Sequence, residues 1–572
     1  MLSSKPKITE ETNMTRLYFD PARRAIRRAS AQVRPTVLAA AVSTALLPTS
    51  AALAFDIDTG NPDIRLRWDN TVSYTAGFRA QDQSDTLTAD RNQDDGNRNF
   101  GTGLISNRID LLSELDLTYG NFGARLSGAA WYDDVYNRSN DNDSPATANH
   151  SSTEHDEFTD RTRDLHGRKA ELLDAFVFGR GELFGKRSSF RLGRHSVLYG
   201  ESLFFGANGI AGTQGSVDII KLQSNPNAQF KEIIRPTNQV SASIQLADGV
   251  TLGGYYQFSW EALRTPAVGS YFGTTDNAFG GGAERLFVGP FGAWLNHRHD
   301  LKAKDSGQGG VQLRLSTGDW DFGLYATRFH SKTPTLYQTF SGPVAPFNAN
   351  RGIGEFYWVY PEGISAFGAS FSTSIDFVNV AGEISTRRNT PLVSDGVNVT
   401  GTNADNSHHP AYAVGNTAHA QVSILASLPP NFIAQESSLV AEIAWHRLLS
   451  VTKNPQALNP LATRDATALR LVYTPTYRLL FPGTDVRFPI GIGYSPDGRS
   501  PVISSGFGTY HGGDVSIGMR ATYLDRWNFG VNYTHYFGKE DNFLTGTVPP
   551  HITQAQSLRD RNFVTLSVSR SF

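Results

Sequence analysis

Paired histidines, a glycine-bounded lysine and an acidic run are the residues of this sequence whose spacing invites chemistry. His297-Arg298-His299 is an H-x-H, and on an extended stretch that spacing turns two imidazoles to one face, as a metal requires. Asp300 adjoins the pair, but no third ligand is identifiable, so it reads as a solvated loop pair. Gly181 to Lys186 (GELFGK) has the look of a phosphate loop, yet only three residues separate its glycines and Arg187 replaces the Ser or Thr. Asp90-x-Asn92-x-Asp94-Asp95-Gly96 approximates a calcium loop, with its glycine one place late and Gly101 where the bidentate Glu belongs. It reads as a solvated acidic loop. There is no G-x-S-x-G, and no Ser–His pair suited to a hydrolase embedded in the outer wall. His446, beside Glu442 by alternation, suits a channel wall better than a catalytic base. No catalytic residue, metal or cofactor is expected.

The elements that would position such residues are strands. The chain has 572 residues, no cysteine and a formal net charge of −2. Without cysteine there is no disulfide framework or thiolate metal site, and the balanced charge excludes a nucleic-acid partner. No apolar run reaches the ~18 residues that a spanning helix needs. Arg23, Arg24, Arg27, Arg28 and Arg34 precede an apolar stretch from Thr36 to Leu47, and Ala52-Leu53-Ala54 follows as a cleavage signal. Residues 1–54 are therefore expected to be a signal peptide, with Met14 an alternative start, and 55–572 one mature domain.

Period-two alternation then begins. Ile64, Leu66, Trp68, Val72, Tyr74 and Phe78 share one strand face, against Arg65, Arg67, Asp69, Thr71, Ser73 and Arg79 on the other. Strands are predicted to start near residues 64, 105, 122, 170, 189, 238, 250, 309, 320, 364, 376, 416, 437, 465, 485, 513, 527 and 561. Val250 through Trp260 is taken as one strand. Short connections near 120, 182, 248, 318, 375, 432, 480 and 525 alternate with long ones at 80–104, 133–169, 200–237, 263–308, 333–363, 388–415, 450–464, 495–512 and 539–560. That asymmetry describes an all-β, up-and-down transmembrane barrel of about 18 strands (16 the alternative), with long extracellular loops and both mature termini periplasmic. Tyr119, Phe122, Trp320, Tyr523 and Trp527 flank the short turns, where an interfacial girdle belongs. Val564, Leu566, Val568 and Phe572 share a face of the last strand, so Phe572 is the expected signal for the barrel-assembly machinery, although Arg570 stands where an aromatic is usual.

Alternation places Arg67, Asp69, Asp110, Glu114, Asp116, Arg125, Glu261, Arg314, Glu383, Glu442, Arg470 and Arg520 on the inner face, away from lipid. These are the candidate lumen-lining residues. Loop 200–237 carries eleven large apolar residues, Phe204 and Phe205 among them, too many to leave exposed. It is predicted to fold inward as a constriction, with Lys221, Lys231, Glu232 and Arg235 meeting Arg67, Asp110, Glu114 and Arg125 on the wall.

Several motifs carry a resemblance: Trp68-Asp69-Asn70-Thr71-Val72, Tyr199-Gly200-Glu201-Ser202, Tyr256-Gln257-Phe258-Ser259-Trp260, Tyr533-Thr534-His535-Tyr536-Phe537-Gly538 and the closing Asp560-Arg561-Asn562-Phe563-Val564. Together with Phe55-Asp56-Ile57, Lys231-Glu232, Ala303 to Gln308, Tyr360-Pro361-Glu362 and Asp514 to Gly518, these resemble the proteobacterial outer-membrane domain-of-unknown-function family thirteen-oh-two across nearly all of the mature chain. Tyr199 departs from the usual tryptophan. The resemblance implies outer-membrane lipid and lipopolysaccharide as surroundings. It also implies an RND-type exporter with a periplasmic partner, and transport of hydrophobic or lipid-like molecules. The sequence thus points to a porin-like channel or facilitator of a Gram-negative outer membrane. The alternatives are a docking partner of an export complex with a plugged lumen and, less favoured, a membrane-embedded enzyme.

Overall fold

The computed structural model describes residues 55–289, 292–341, 351–503, 506–547 and 550–572; the expected signal peptide lies outside them. Eighteen antiparallel strands close into one barrel. The first nine are β1 (Ile64–Arg79), β2 (Gly103–Tyr119), β3 (Phe122–Asp133), β4 (Arg168–Leu183), β5 (Lys186–His195), β6 (Thr237–Ala247), β7 (Val250–Gln257), β8 (Gln308–Thr317) and β9 (Trp320–Phe329). The rest are β10 (Ile364–Ile375), β11 (Val378–Pro391), β12 (Val414–Leu428), β13 (Glu436–Lys453), β14 (Asp465–Phe481), β15, β16 (Gly513–Tyr523), β17 (Trp527–Phe537) and β18 (Phe563–Ser571). β15 comes in two pieces, Thr484–Arg487 and Ile490–Asp497. It breaks at Phe488-Pro489, where the proline has no N–H for the ladder. Every strand starts within three residues of its predicted position.

The alternation that marks the strands also divides the barrel's two faces. Ile109, Leu126, Val311, Leu324, Ile384, Ile443 and Ile517 are all exposed on the outside. A belt of that size is a liability in water and the natural surface in lipid. Tyr119, Phe122, Trp320 and Tyr523 stand exposed at the short-turn rim, and Trp320 stacks on Phe322 at 5.9 Å. The GELFGK segment is simply the β4–β5 hairpin, with Phe184 and Gly185 at φ of 55° and 71°.

Three expectations need correction. β7 ends at Gln257, not Trp260, because the Trp260 N–H leaves the ladder for Asp305 Oδ1 at 2.8 Å. Glu261 accordingly belongs to a loop rather than to the barrel wall. The long loops also build a five-stranded sheet of their own, from Arg285–Val288, Ala293–His297, Thr335–Phe340, Gly352–Val359 and Val397–Asn398. His297 closes one of these strands, bonds Asp300 at 3.0 Å and packs on Phe356. Finally, the acidic run is not solvated: Asp94 and Asp95 are fully buried beneath neighbouring loops.

Closure rests on β1 and β18, which pair from Thr71↔Ser571 to Arg79↔Phe563. Asn70 and Phe572 exchange both backbone hydrogen bonds, and Phe55–Ile57 covers Leu66–Trp68, the part of β1 that β18 does not reach. Above the seam the closing motif is used residue by residue. Asp560 meets Arg79 at 2.8 Å, both side chains fully buried, and accepts from Asn97 Nδ2 at 2.7 Å. Arg561 donates to the carbonyls of Tyr271 and Gly273. Asn562 Oδ1 accepts the Tyr536 N–H at 2.8 Å, and Phe563 packs among Tyr271, Phe272 and Tyr536. Because Phe572 completes the ladder, deleting it is expected to lower the yield of heat-modifiable, membrane-inserted barrel. An unchanged yield on semi-native gels would argue against its role in assembly.

Candidate functional site

Loop 196–236, between β5 and β6, crosses the barrel interior, and its hydrogen bonds run to strands well away from its own root. The eleven large apolar residues from Leu203 to Ile234 are all at least partly covered. Ile210 is fully buried with Tyr199, Tyr255 of β7, Tyr325 and Phe329 of β9, and Ile364 and Ala366 of β10. Phe205 packs on Ala444 and Ala468, with Phe204 and Phe507 beside it. Val217, Phe230 and Ile233 form a small core within the loop itself.

A loop inside a barrel must find acceptors for its backbone N–H groups, since each buried orphan costs about 1–3 kcal/mol. Two carboxylates supply them. Glu442 of β13 accepts from Leu203 (3.2 Å), Phe204 (2.5 Å) and Phe205 (2.8 Å). Glu383 of β11 accepts from Glu201 (3.0 Å) and Ile210 (2.6 Å). Arg387, also on β11, serves the opposite polarity, donating to the carbonyls of Ala207, Asn208 and Gly209 at 2.8–2.9 Å. The Asn208 side chain sits between two imidazoles, with Oδ1 2.9 Å from His419 Nδ1 and 3.2 Å from His446 Nδ1. His446 is therefore packed behind the loop, where Ser500 meets its other nitrogen at 3.0 Å, rather than on an open channel wall.

Further along, Asn227 reaches the β14–β16 wall and donates to Ser516 Oγ at 2.8 Å. It can do so because β15 carries Gly491 and Gly493 at inward positions. A Cβ at the first would collide with Asn227, and one at the second with Arg470. Through the second gap Arg470 of β14 reaches over β15 to Asp514 of β16, at 2.5 Å. At the loop's root the charges alternate in one chain: Arg194–Glu261 (2.5 Å), Glu261–Arg235 (3.3 Å), Arg235–Glu171 (3.7 Å), Glu171–Arg264, and Arg264–Asp218 (2.8 Å).

The expected wall partners differ from those observed. Arg67 pairs with Asp69 at 2.7 Å, Asp110 with Arg108 at 2.5 Å, and Arg125 with Glu114, Asp116 (3.0 Å) and Asp174 (3.6 Å). All lie on β1–β4 and bond to one another, none to the loop, because the loop crosses to the far wall. Among the described residues, Arg235 alone of the four loop candidates makes an ion pair. Lys221 Nζ caps the Glu232 carbonyl at 2.8 Å, Glu232 closes a capping box on Gln229, and Lys231 is exposed. Arg314 is exposed on β8, where its charge acts on Glu201, and Arg520 of β16 lies opposite Arg487. Asn208, Arg387, Asn227 and Gln421 of β12, which accepts from Asn208 Nδ2 at 3.3 Å and donates to Ser202 Oγ, escape the sequence reading. A period-two count from Glu383 places Arg387 on its face; nothing local marks the other three.

Two cavities flank the loop. One, of about 220 Å³, is lined by Phe204, Phe205 and Leu222 of the loop and by Ala468, Arg470 and Tyr494 of the wall. The other, of about 400 Å³, lies toward the short turns and carries Glu436, Arg478, Arg487 and Arg520. The stretch 223–228 contributes to both: Gln223, Pro226 and Ala228 border the first, Asn225 and Asn227 the second. Replacing Glu442 with alanine removes the acceptor of three amides at once. At about 1–3 kcal/mol for each, hydrogen exchange at 203–205 is expected to accelerate sharply while the barrel stays heat-modifiable.

Comparison with known proteins adds the following. The crystal structure of OccAB4 from Acinetobacter baumannii is similar at 9% identity and a TM-score of 0.40, covering 90% of this chain and all of that one. OccK9 (OpdG) of Pseudomonas aeruginosa gives 9% and 0.39, covering 89% and 98%. The outer membrane channel DcaP of A. baumannii gives 8% and 0.36, covering 91% and 100%. No curated protein matches. The family described as "Protein of unknown function (DUF1302)" matches residues 35–572, and the chain belongs to that family.

Proposed function

We propose that this chain is a porin-like solute channel of the Gram-negative outer membrane, its passage set by the in-folded loop. The observation that carries this reading is the partition at 223–228, which separates a mainly apolar cavity, its Arg470 paired with Asp514, from one that bears three arginines. Arg478 in the second cavity is neutralised by Glu436 and Asp485. Arg487 and Arg520 face each other in register and have no salt bridge among the described residues. An aromatic and aliphatic chamber followed by free guanidinium groups suits an amphipathic solute with an anionic end better than a simple ion. Hydrophobic or lipid-like cargo, and coupling to an RND-type exporter with a periplasmic partner, are the finer reading that the family resemblance implies.

A second reading has its own support. Phe184 and Phe432, at the tips of short turns, are 90% and 99% exposed, which suits docking of a periplasmic partner by a plugged barrel. Conductance in planar bilayers separates the two. The channel reading expects deletion of 205–230 to raise single-channel conductance severalfold in an assembled barrel. It also expects Arg487→Glu with Arg520→Glu to shift the reversal potential away from anions. Unchanged conductance on deletion would favour the plugged barrel.

Orientation is testable independently. The long loops should face outward, so external labelling of intact cells is expected at cysteines placed in 133–169 and 388–415 and absent at 318–319. Labelling at 318–319 would reverse the topology.

A further inference from the structure

Loops 80–102, 134–167 and 258–307 leave the rim after β1, β3 and β7 and meet over the barrel mouth. At their junction stand Asp94 and Asp95 from the first loop and Asp276 from the third, with one carboxylate oxygen of each within 4.8 Å of the others. Asp94 and Asp95 are 0% exposed and Asp276 1%. One guanidinium touches them directly, Arg98 Nε donating to Asp94 Oδ2 at 2.5 Å. Asp276 Oδ2 accepts the N–H groups of Asp94 (3.0 Å) and Asp95 (3.4 Å). Asn142 reaches Asp95 Oδ1 at 3.5 Å. The other nearby cations are engaged elsewhere: Arg91 lies over the Phe287 ring at 3.4 Å, and Arg561 donates to the carbonyls of Tyr271 and Gly273.

Separately from this clustering, two of the buried oxygens have no donor. Asp94 Oδ1 and Asp95 Oδ2 are sealed from solvent and accept no hydrogen bond. His150 Nδ1 lies 3.7 Å from the second, a long ion pair when the imidazole is protonated, and the Thr147 hydroxyl beside Asp94 bonds Ser144, 3.2 Å from its carbonyl and 3.0 Å from its Oγ. Bare carboxylate oxygens in a dry site are costly unless a positive charge meets them. A proton would relieve one oxygen and would itself need an acceptor. A cation relieves all three groups together.

We propose that Asp94, Asp95 and Asp276 bind a calcium ion that ties loop 80–102 to loop 258–307 across the mouth of the barrel. Three carboxylates make a hard, all-oxygen donor set. Calcium accepts irregular carboxylate geometry, whereas magnesium keeps several waters that this dry junction would exclude. Loop sites that face the outside medium bind calcium with dissociation constants on the order of 10⁻⁴–10⁻³ M.

The test uses the full-length protein in detergent, stripped with a chelator and titrated with calcium chloride in a calorimeter. One ion per chain is expected, with calcium-dependent protection of 90–102 and 270–280 from protease. Asp276→Asn should weaken binding by about tenfold or more. Asp90→Asn, in the same loop but outside the cluster, should not. If Asp276→Asn fails to give a heat-modifiable barrel, Asp95→Asn is read in its place. Absence of calcium binding by the unmodified chain, undiminished binding in the cluster variant, or equal loss in Asp90→Asn would overturn the assignment.

Discussion

Everything in this molecule follows from the need to satisfy backbone N–H and C=O groups where no water reaches them. On the outer face that need forces a closed sheet, because an open edge in lipid would leave a row of unpaired groups. Closure makes β1 and β18 neighbours. The even strand number then returns both ends of the barrel chain to one rim and sends every long connection to the other.

The same need governs the interior. A loop drawn into a barrel brings its own orphan amides, and a strand wall has few spare acceptors because its backbone is already paired. Glu383 and Glu442 solve this by offering carboxylate oxygens to five amides between them. Arg387 does the reverse for three carbonyls. The loop is thus held by its main chain rather than by its side-chain identities, while its apolar side chains fill space. Gly491 and Gly493 complete the arrangement by leaving room on the wall.

The barrel was legible because alternation is local and strict: Ile64 to Arg79 declares its two faces without reference to any other residue. The inward positions of Glu383, Glu442 and Arg470 followed from the same count. Their partners were not legible. A backbone amide carries no signature in sequence, and Glu442 meets amides 237–239 positions away. Arg67, Asp110, Glu114 and Arg125 were natural guesses as loop partners because charge suggests charge, but neighbours on the same strand (Asp69, Arg108) or on the adjacent one satisfied them first. Glu261 was misplaced because apolar–polar alternation runs on through Phe258-Ser259-Trp260 after the ladder has ended. The burial of Asp94 and Asp95 depends on Asp276, which lies on the far side of six strands of chain.

The seam pair Arg79–Asp560 spans 481 positions. Loop-closure entropy rises only logarithmically with such a span, so the finished barrel loses little stability by it. The burden falls on time. Contacts this non-local make folding slow, and until the C-terminal segment arrives the chain is a ribbon of alternating strands with both edges open. Such a ribbon is prone to aggregate. Pairing of β18 with β1 is therefore the step that removes both open edges at once.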